Sequence, residues 1–293
     1  MLKHGRESLV EMEQGGKSVS KKPLPGRSLA QKREWLARQQ RAIETIEKLT
    51  EIGNDAYGVP HINFVDTARY NIIEERVDGV PLTPLLFHSL NQSEREKIID
   101  SLAQFYDDMH SINVIPNPVP YTMNYDLNVP YLENFIDEDI RKYFPKSDIK
   151  FISKFYQKIL DVSYETRLVF VHGDLFEENI LYNAKSQKFS IIDFTDAAPS
   201  FLHYDMLRSY TNDLGIVDEV RRKYLKYRGT NGLPKDFTDD ARWAEIKAYH
   251  DATELLEEIN ETVSDFQYSD RVNQNQKLKQ IKKQIDMLHK YDR

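Results

Sequence analysis

The sequence predicts an α+β protein of two unequal lobes: a small β-rich lobe with one helix over residues 1–78, and a larger helical lobe over residues 79–293. Three observations predict it. Before residue 78, short apolar runs flank one long stretch with helical spacing. The connector DGVPL (78–82) then separates this region from one whose apolar residues recur mostly every three or four positions. Inside that second region, three short apolar runs between 167 and 192 interrupt the helices around a His, an Asp and an Asn.

The length suits one large domain or two lobes, and 40% hydrophobic and 11% aromatic residues supply material for a packed interior. Lys and Arg number 40 against 47 Asp and Glu, a net charge of −7. That balance argues against non-specific nucleic-acid binding, which needs basic surface. The absence of cysteine excludes disulfides, thiolate metal sites and cysteine nucleophiles. The first residues, MLKHGRESLVEMEQ, mix charges and hold no apolar leader core, and no run approaches the ~20 apolar residues of a membrane span. The reading is a soluble, cytoplasmic protein with no nucleic-acid or membrane partner; nothing in the sequence fixes its oligomeric state.

Residues 7–22 read as a β-hairpin turning at Gln14, Gly15 and Gly16, since glycine accepts positive φ. Ser28 is a natural N-cap for a helix carrying Leu29, Leu36, Ile43, Ile46 and Leu49, with Gly53 as its stop. HINFVD (61–66) and YNIIEERV (70–77) follow as strands. A helix begins near Ser93, with Ser93 and Glu96 as a capping box, and its apolar face is Ile98, Ile99, Leu102, Phe105, Tyr106 and Met109. Residues 115–130, rich in Pro and Asn, read as a loop, and helices are expected over 131–143 and 147–162. The runs 167–171, 180–182 and 189–192 read as strands. Helices then cover 201–214, 216–227, 239–263 and 272–290; the last, basic and amphipathic, reads as a surface helix.

VHGDLFEENIL (171–181) contains His172, Asp174 and Asn179 in the pattern H-x-D-x-x-x-x-N, and Asp193 ends the run SIID fourteen residues past Asn179. An Asp at a strand end can turn its carboxylate into a cleft while the strand stays buried. Asn179 and Asp193 thus offer oxygen ligands from adjacent strands, a donor set suited to Mg²⁺ that keeps waters and shares phosphate oxygens. Asp174, set apart from that pair by a loop, is placed to accept a proton from an incoming hydroxyl.

With IIDFTDAAPSFLHYDML, LAQFYDDMHSI and NIIEERVDGVPL, these residues resemble the aminoglycoside phosphotransferase and choline kinase family, whose members have a protein-kinase-like fold. The resemblance covers most of residues 7–210. It implies a Mg²⁺-dependent kinase that moves the γ-phosphate of ATP or GTP to a hydroxyl of an aminoglycoside-, choline- or sugar-like acceptor. Asp174 would be the base and His172 would brace its loop. Asn179 and Asp193 would hold Mg²⁺, and Asp205 would support the loop from below. Lys21, on the same strand face as Val19, would reach the nucleotide phosphates, with Glu34 of the following helix holding it by an ion pair. Backbone groups near Glu75 and Val77 would meet the base. Glu254, Glu257 and Glu258 lie at helical spacing and read by default as a solvated helix face; the resemblance implies the alternative that they meet a cationic acceptor, together with residues of the 115–140 loop.

The chain begins close to the expected phosphate-covering loop, so the family's first strand is expected to be very short or missing. Only about ten residues separate Asp193 from the next expected helix, which argues for a small acceptor rather than a protein. Two rival readings follow from the same residues: a kinase-shaped nucleotide-binding protein without catalysis, and a kinase acting on a protein.

Overall fold

A computed structural model describes residues 3–4, 8–112, 118–122, 145–161, 163–208, 210–266 and 271–291. The chain forms two compact units that are each discontinuous in sequence: 1–116 with 168–231, and 117–167 with 232–293. The expected boundary at 78/79 falls inside the first unit.

Unit 1 holds a five-stranded antiparallel sheet of β1 (Lys3–His4), β2 (Ser8–Met12), β3 (Ser18–Pro23), β4 (Ile62–Asp66) and β5 (Asn71–Glu75), in the order β1-β2-β3-β5-β4. The first strand is two residues long, pairing Lys3 with Val10 and His4 with Leu9. α1 (Leu29–Ile52) starts at the expected Ser28, whose hydroxyl and Gln31 form a reciprocal capping box, and stops at Gly53 in the left-handed region. Its buried face is Trp35, Gln39, Ala42, Thr45, Ile46 and Leu49.

Beyond the sheet, α2 (Pro84–Ser89) occupies a stretch with no expected helix. Thr83 caps it and Pro84 opens it, a placement where proline's missing N–H costs nothing. The capping box of α3 (Gln92–Ser111) lies two residues before the expected one: Asn91 and Glu94 make the reciprocal bonds, not Ser93 and Glu96. The expected apolar face of α3 is buried throughout, with Leu102, Phe105, Tyr106 and Met109 fully enclosed. It packs on the helix Val217–Arg228, where Lys223 meets Asp100 at 2.7 Å and His110 meets the Tyr224 hydroxyl at 3.1 Å.

The apolar runs of the second half form paired strands. Ile180–Asn183 pairs with Lys188–Ile191 and, on its other side, with Val80–Pro81. Residues 168–171 pair with the strand Ala198–Phe201. The expected helix over 201–214 is therefore two single turns, Tyr204–Leu207 and Tyr210–Asp213, preceded by a strand. The waiting edge at 168–171 outweighs the local helical spacing, as tertiary pairing does when propensity is weak.

Unit 2 holds the helices Lys146–Asp161, Lys235–Thr238, Asp240–Phe266 and Arg271–Leu288. Leu255, Leu256 and Ile259 of the third and Ile281, Ile285 and Leu288 of the last are buried, and Phe151 stacks on His289. Part of the expected 115–130 loop is a strand: Pro118–Thr122 pairs with 163–167. Its prolines fit a strand with one paired neighbour, where the other edge needs no N–H. The expected helix over 131–143 lies outside the described residues. Among the described residues, no helix is long and apolar enough to cross a membrane.

Candidate functional site

The candidate site belongs to unit 1 and is built where two strand pairs end. The buried run 168–171 delivers His172, which is fully enclosed and packs against Phe194 and Phe105. Its Nε2 lies 3.1 Å from the Ile192 carbonyl, and its Nδ1 lies 3.3 Å from the Asp174 N–H. A carbonyl can only accept and an amide N–H only donate, so the ring is neutral with its proton on Nε2. Burial agrees, pushing the imidazole pKa down to about 4. His172 thus ties the 172–174 turn to the strand end before Asp193.

Gly173 follows with φ of +81°, and a Cβ there would meet the Asp196 carbonyl oxygen at 2.5 Å. Only glycine suits both the backbone and the space. Beneath it, buried Asp205 accepts the backbone N–H groups of His172 at 2.5 Å and Gly173 at 3.0 Å. Burial raises its pKa to about 6 despite those two donors. The Tyr106 hydroxyl in turn donates to the Asp205 carbonyl at 3.0 Å.

Asp174 is half-buried on this support. Burial raises its pKa, and the nearby charges of Asp196, Asp193 and Glu178 add to the rise against the opposing hydrogen bond from Asn179. A carboxylate moved upward in this way is a better proton acceptor near neutral pH. Asn179 closes the short 3₁₀ turn Glu177–Asn179 and donates its side-chain amide to the Asp174 carbonyl at 2.8 Å and carboxylate at 3.0 Å. Both donors being engaged, the amide oxygen is what Asn179 has left to offer.

The Ile192 N–H donates to the Asn179 carbonyl at 2.9 Å, so Asp193 starts one residue beyond the point where these strands are joined. Asp193 has a left-handed backbone, φ 61° and ψ 65°, uncommon for a residue with a Cβ and a recurrent feature of functional sites. Its Oδ1 accepts from the Thr195 hydroxyl at 2.7 Å and from Lys21 at 3.3 Å. Burial would raise its pKa, but Lys21 and Thr195 hold it below the usual carboxylate range. Oδ2 remains as a second donor oxygen. Two protein oxygens of this kind fit Mg²⁺, which takes its other ligands from water and phosphate. Among the described residues, no group of three or more His, Cys, Asp or Glu could hold a metal by itself.

Lys21 is buried on β3 and lies 3.0 Å from Glu74 as well as 3.3 Å from Asp193. Burial by itself would lower its pKa; the two carboxylates outweigh this and raise it, so the side chain is a held cation. The expected partner, Glu34, does not reach it. Glu34 lies on the exposed side of α1, one position off the buried row that Trp35 and Gln39 occupy. A step of one residue turns the helix by about 100°, which carries that carboxylate away from the sheet.

Of the expected base-binding groups, the Glu75 N–H is already donated to the His61 carbonyl at 2.7 Å, and the Arg76 N–H to the Lys17 carbonyl at 2.9 Å. The first backbone amide past these is that of half-buried Val77. Glu254 and Glu258 lie in unit 2 on the helix Asp240–Phe266; Glu258 accepts from Gln284 at 3.0 Å. The Glu257 side chain and most of the 115–140 loop lie outside the described residues.

Further residues join this site without having been singled out from the sequence. Glu74 holds Lys21. Gln39 donates to Thr195 at 3.0 Å, Thr195 bonds Asp193, and Arg38 pairs with Asp196. The one available signal for Glu74 was its alternation with buried Ile72 in NIIEE, which puts both on one strand face.

A model of the phosphotransferase enzyme family matches residues 68–246. A search of curated proteins gives no match. Among solved structures, aminoglycoside 2'-phosphotransferase-IIIa in its GDP complex is 17% identical, over 97% of this chain and 91% of that one, with a TM-score of 0.61. Choline kinase LicA from Streptococcus pneumoniae is 14% identical over 97% and 92%, with a TM-score of 0.52. A choline/ethanolamine kinase family protein from Mesorhizobium loti is 14% identical over 97% and 88%, with a TM-score of 0.56. At these identities the likeness establishes the kinase-like α+β fold.

Proposed function

Because the chain belongs to the phosphotransferase enzyme family, we propose that it transfers the γ-phosphate of ATP or GTP to a hydroxyl of a small molecule. The observation that carries this reading is the arrangement in unit 1: Asp174 held by Asn179, and Asp193 held beside a buried Lys21. A base, two free donor oxygens and a fixed cation are what phosphoryl transfer requires of a protein, since its catalysis is mostly positioning and charge neutralisation.

In this reading Asp174 orients the acceptor hydroxyl and takes its proton as the oxygen bonds to the γ-phosphorus. The nucleoside diphosphate leaves with the electron pair of the broken P–O bond. Lys21 holds the phosphates in line, and the Val77 backbone meets the base. Asn179 and Asp193 would hold Mg²⁺, which when bound supplies positive charge to the phosphate oxygens. His172 and Asp205 touch no reactant; they keep the 172–174 turn in place.

The acceptor class follows the structural relatives, which include aminoglycoside phosphotransferases solved with gentamicin and with kanamycin, and choline kinases. An amine-bearing alcohol or a sugar is the proposed acceptor. Purified protein is to be incubated with γ-labelled ATP or GTP, with Mg²⁺ or EDTA, against aminoglycosides, choline, ethanolamine and sugars. Label appearing on a small molecule only with Mg²⁺ supports the proposal. Label on proteins of an added lysate instead, or no transfer from either nucleotide, overturns it.

A further inference from the structure

We propose that Glu74, on the strand beside Lys21, is the positioning residue for the nucleotide-holding lysine in this chain, in the role the family resemblance assigns to Glu34. The inference rests on the kinase reading above and gives that site a different internal support.

The register of the sheet sets the pair. β3 and β5 run antiparallel with Lys21 opposite Ile72 and Val19 opposite Glu74. Directly opposed residues point to the same face, so all four share one, and Lys21 and Glu74 are diagonal neighbours within reach of long side chains. Their charged ends lie 3.0 Å apart, and both side chains are 10% exposed. A buried ammonium needs a close counter-charge, and a buried carboxylate needs a donor; each supplies the other. Asp193 is the lysine's second partner at 3.3 Å. Unlike Asp193, Glu74 is a residue of the sheet itself and is not one of the two proposed Mg²⁺ ligands. When phosphates and a cation draw on Lys21 and Asp193, Glu74 remains to hold the ammonium.

The helix α1 makes different contacts. Trp35 fills the inward position next to Glu34 and donates its indole N–H to the Ser8 hydroxyl at 2.8 Å. One turn on, Gln39 donates to Thr195, and Arg38 pairs with Asp196. α1 therefore touches the segment after Asp193. Lys21 itself lies on β3, which is hydrogen-bonded to β2 on one side and to β5, the strand of Glu74, on the other.

The test is a double-mutant cycle on nucleotide affinity, which needs no knowledge of the acceptor. Dissociation constants for ATP and GTP are measured by calorimetry, with Mg²⁺ and with EDTA, on wild type, Glu74→Gln, Glu34→Gln, Lys21→Met and the Lys21→Met/Glu74→Gln double variant. The expected result is about a tenfold weaker Mg²⁺–nucleotide affinity for Glu74→Gln, Glu34→Gln within about twofold of wild type, and a double variant no weaker than Lys21→Met alone, since coupled residues are non-additive. A merely structural Glu74 would give additive losses. Additive losses, an unchanged affinity for Glu74→Gln, or an equal loss for Glu34→Gln each overturn the inference. Should Glu74→Gln fail to fold, Glu74→Asp keeps the buried charge on a shorter stem; it is expected to weaken binding severalfold, and wild-type affinity for it also overturns the proposal. Wild type binding neither nucleotide would overturn the kinase reading itself, a result separable from all of these.

Discussion

Asn179 donates its side-chain amide to the Asp174 carboxylate at 3.0 Å while its amide oxygen stays available, so one side chain orients the proposed base and offers a metal ligand. Asn179→Asp separates the two roles. It keeps an oxygen donor, loses both N–H donors, and faces Asp174 with a second carboxylate that raises its pKa further. Phosphate transfer at neutral pH is expected to fall by roughly 10²-fold or more, the usual worth of a positioned base. Asp174→Ala is expected to abolish transfer while leaving nucleotide affinity in place. Turnover assays on both variants check this; full activity in Asp174→Ala would mean that the base lies elsewhere.

Asp193 carries the charge that connects Lys21 with the donor oxygens. Asp193→Asn leaves the fold its hydrogen-bonding shape but removes that charge. The prediction is that Mg²⁺ no longer increases the thermal stabilisation given by ATP or GTP, whereas it does in wild type. Melting curves with each nucleotide, with and without Mg²⁺, are the measurement. An undiminished Mg²⁺ response would remove Asp193 from the metal site.

His172 makes the fold sensitive to acid. Its folded pKa of about 4 lies below the ordinary ~6.5 of an unfolded chain. Between those values the unfolded chain binds a proton that the folded one refuses. The stabilisation is therefore complete above about pH 6.5 and is lost as pH falls toward 4. Asp205, raised to about 6, runs the other way, favouring the fold at low pH and losing that contribution as pH rises through 6. The two partly cancel, so the comparison must be with His172→Gln at each pH. The wild type's stability relative to that variant is expected to drop by about 1–3 kcal/mol from pH 7 to pH 4.5. Denaturant titrations would show it, and a pH-independent difference would refute the neutral buried imidazole.

Gly173→Ala places a Cβ 2.5 Å from the Asp196 carbonyl on a backbone with φ of +81°. The cost is expected to be on the order of 2–3 kcal/mol, with activity lost because the turn carrying Asp174 must shift. Gly215→Ala is the control: φ there is +68° and a Cβ meets nothing within 4 Å. That variant should cost only about 1 kcal/mol of backbone strain. Equal losses in the two would show that contact with Asp196 does not matter.

Much of this protein was legible in the chain because it is local. Ser28 and Gly53 bound α1 through groups within four residues, and Gln14-Gly15-Gly16 places the hairpin turn between β2 and β3. His172, Asp174 and Asn179 lie within eight residues, so spacing alone put them on one loop, and Asp193 follows from the end of the next strand. What the sequence could not decide is which residues meet across long separations. Lys21 and Glu74 are 53 positions apart, and only the β3–β5 register makes them neighbours, while the rotation of α1 about its axis sends Glu34 outward and Gln39 inward to Thr195. The strand at 198–201 likewise exists because 168–171 offers it an edge. Short-range hydrogen bonds and turn chemistry are written in neighbouring residues; register and helix rotation emerge only when separate elements bury their faces together.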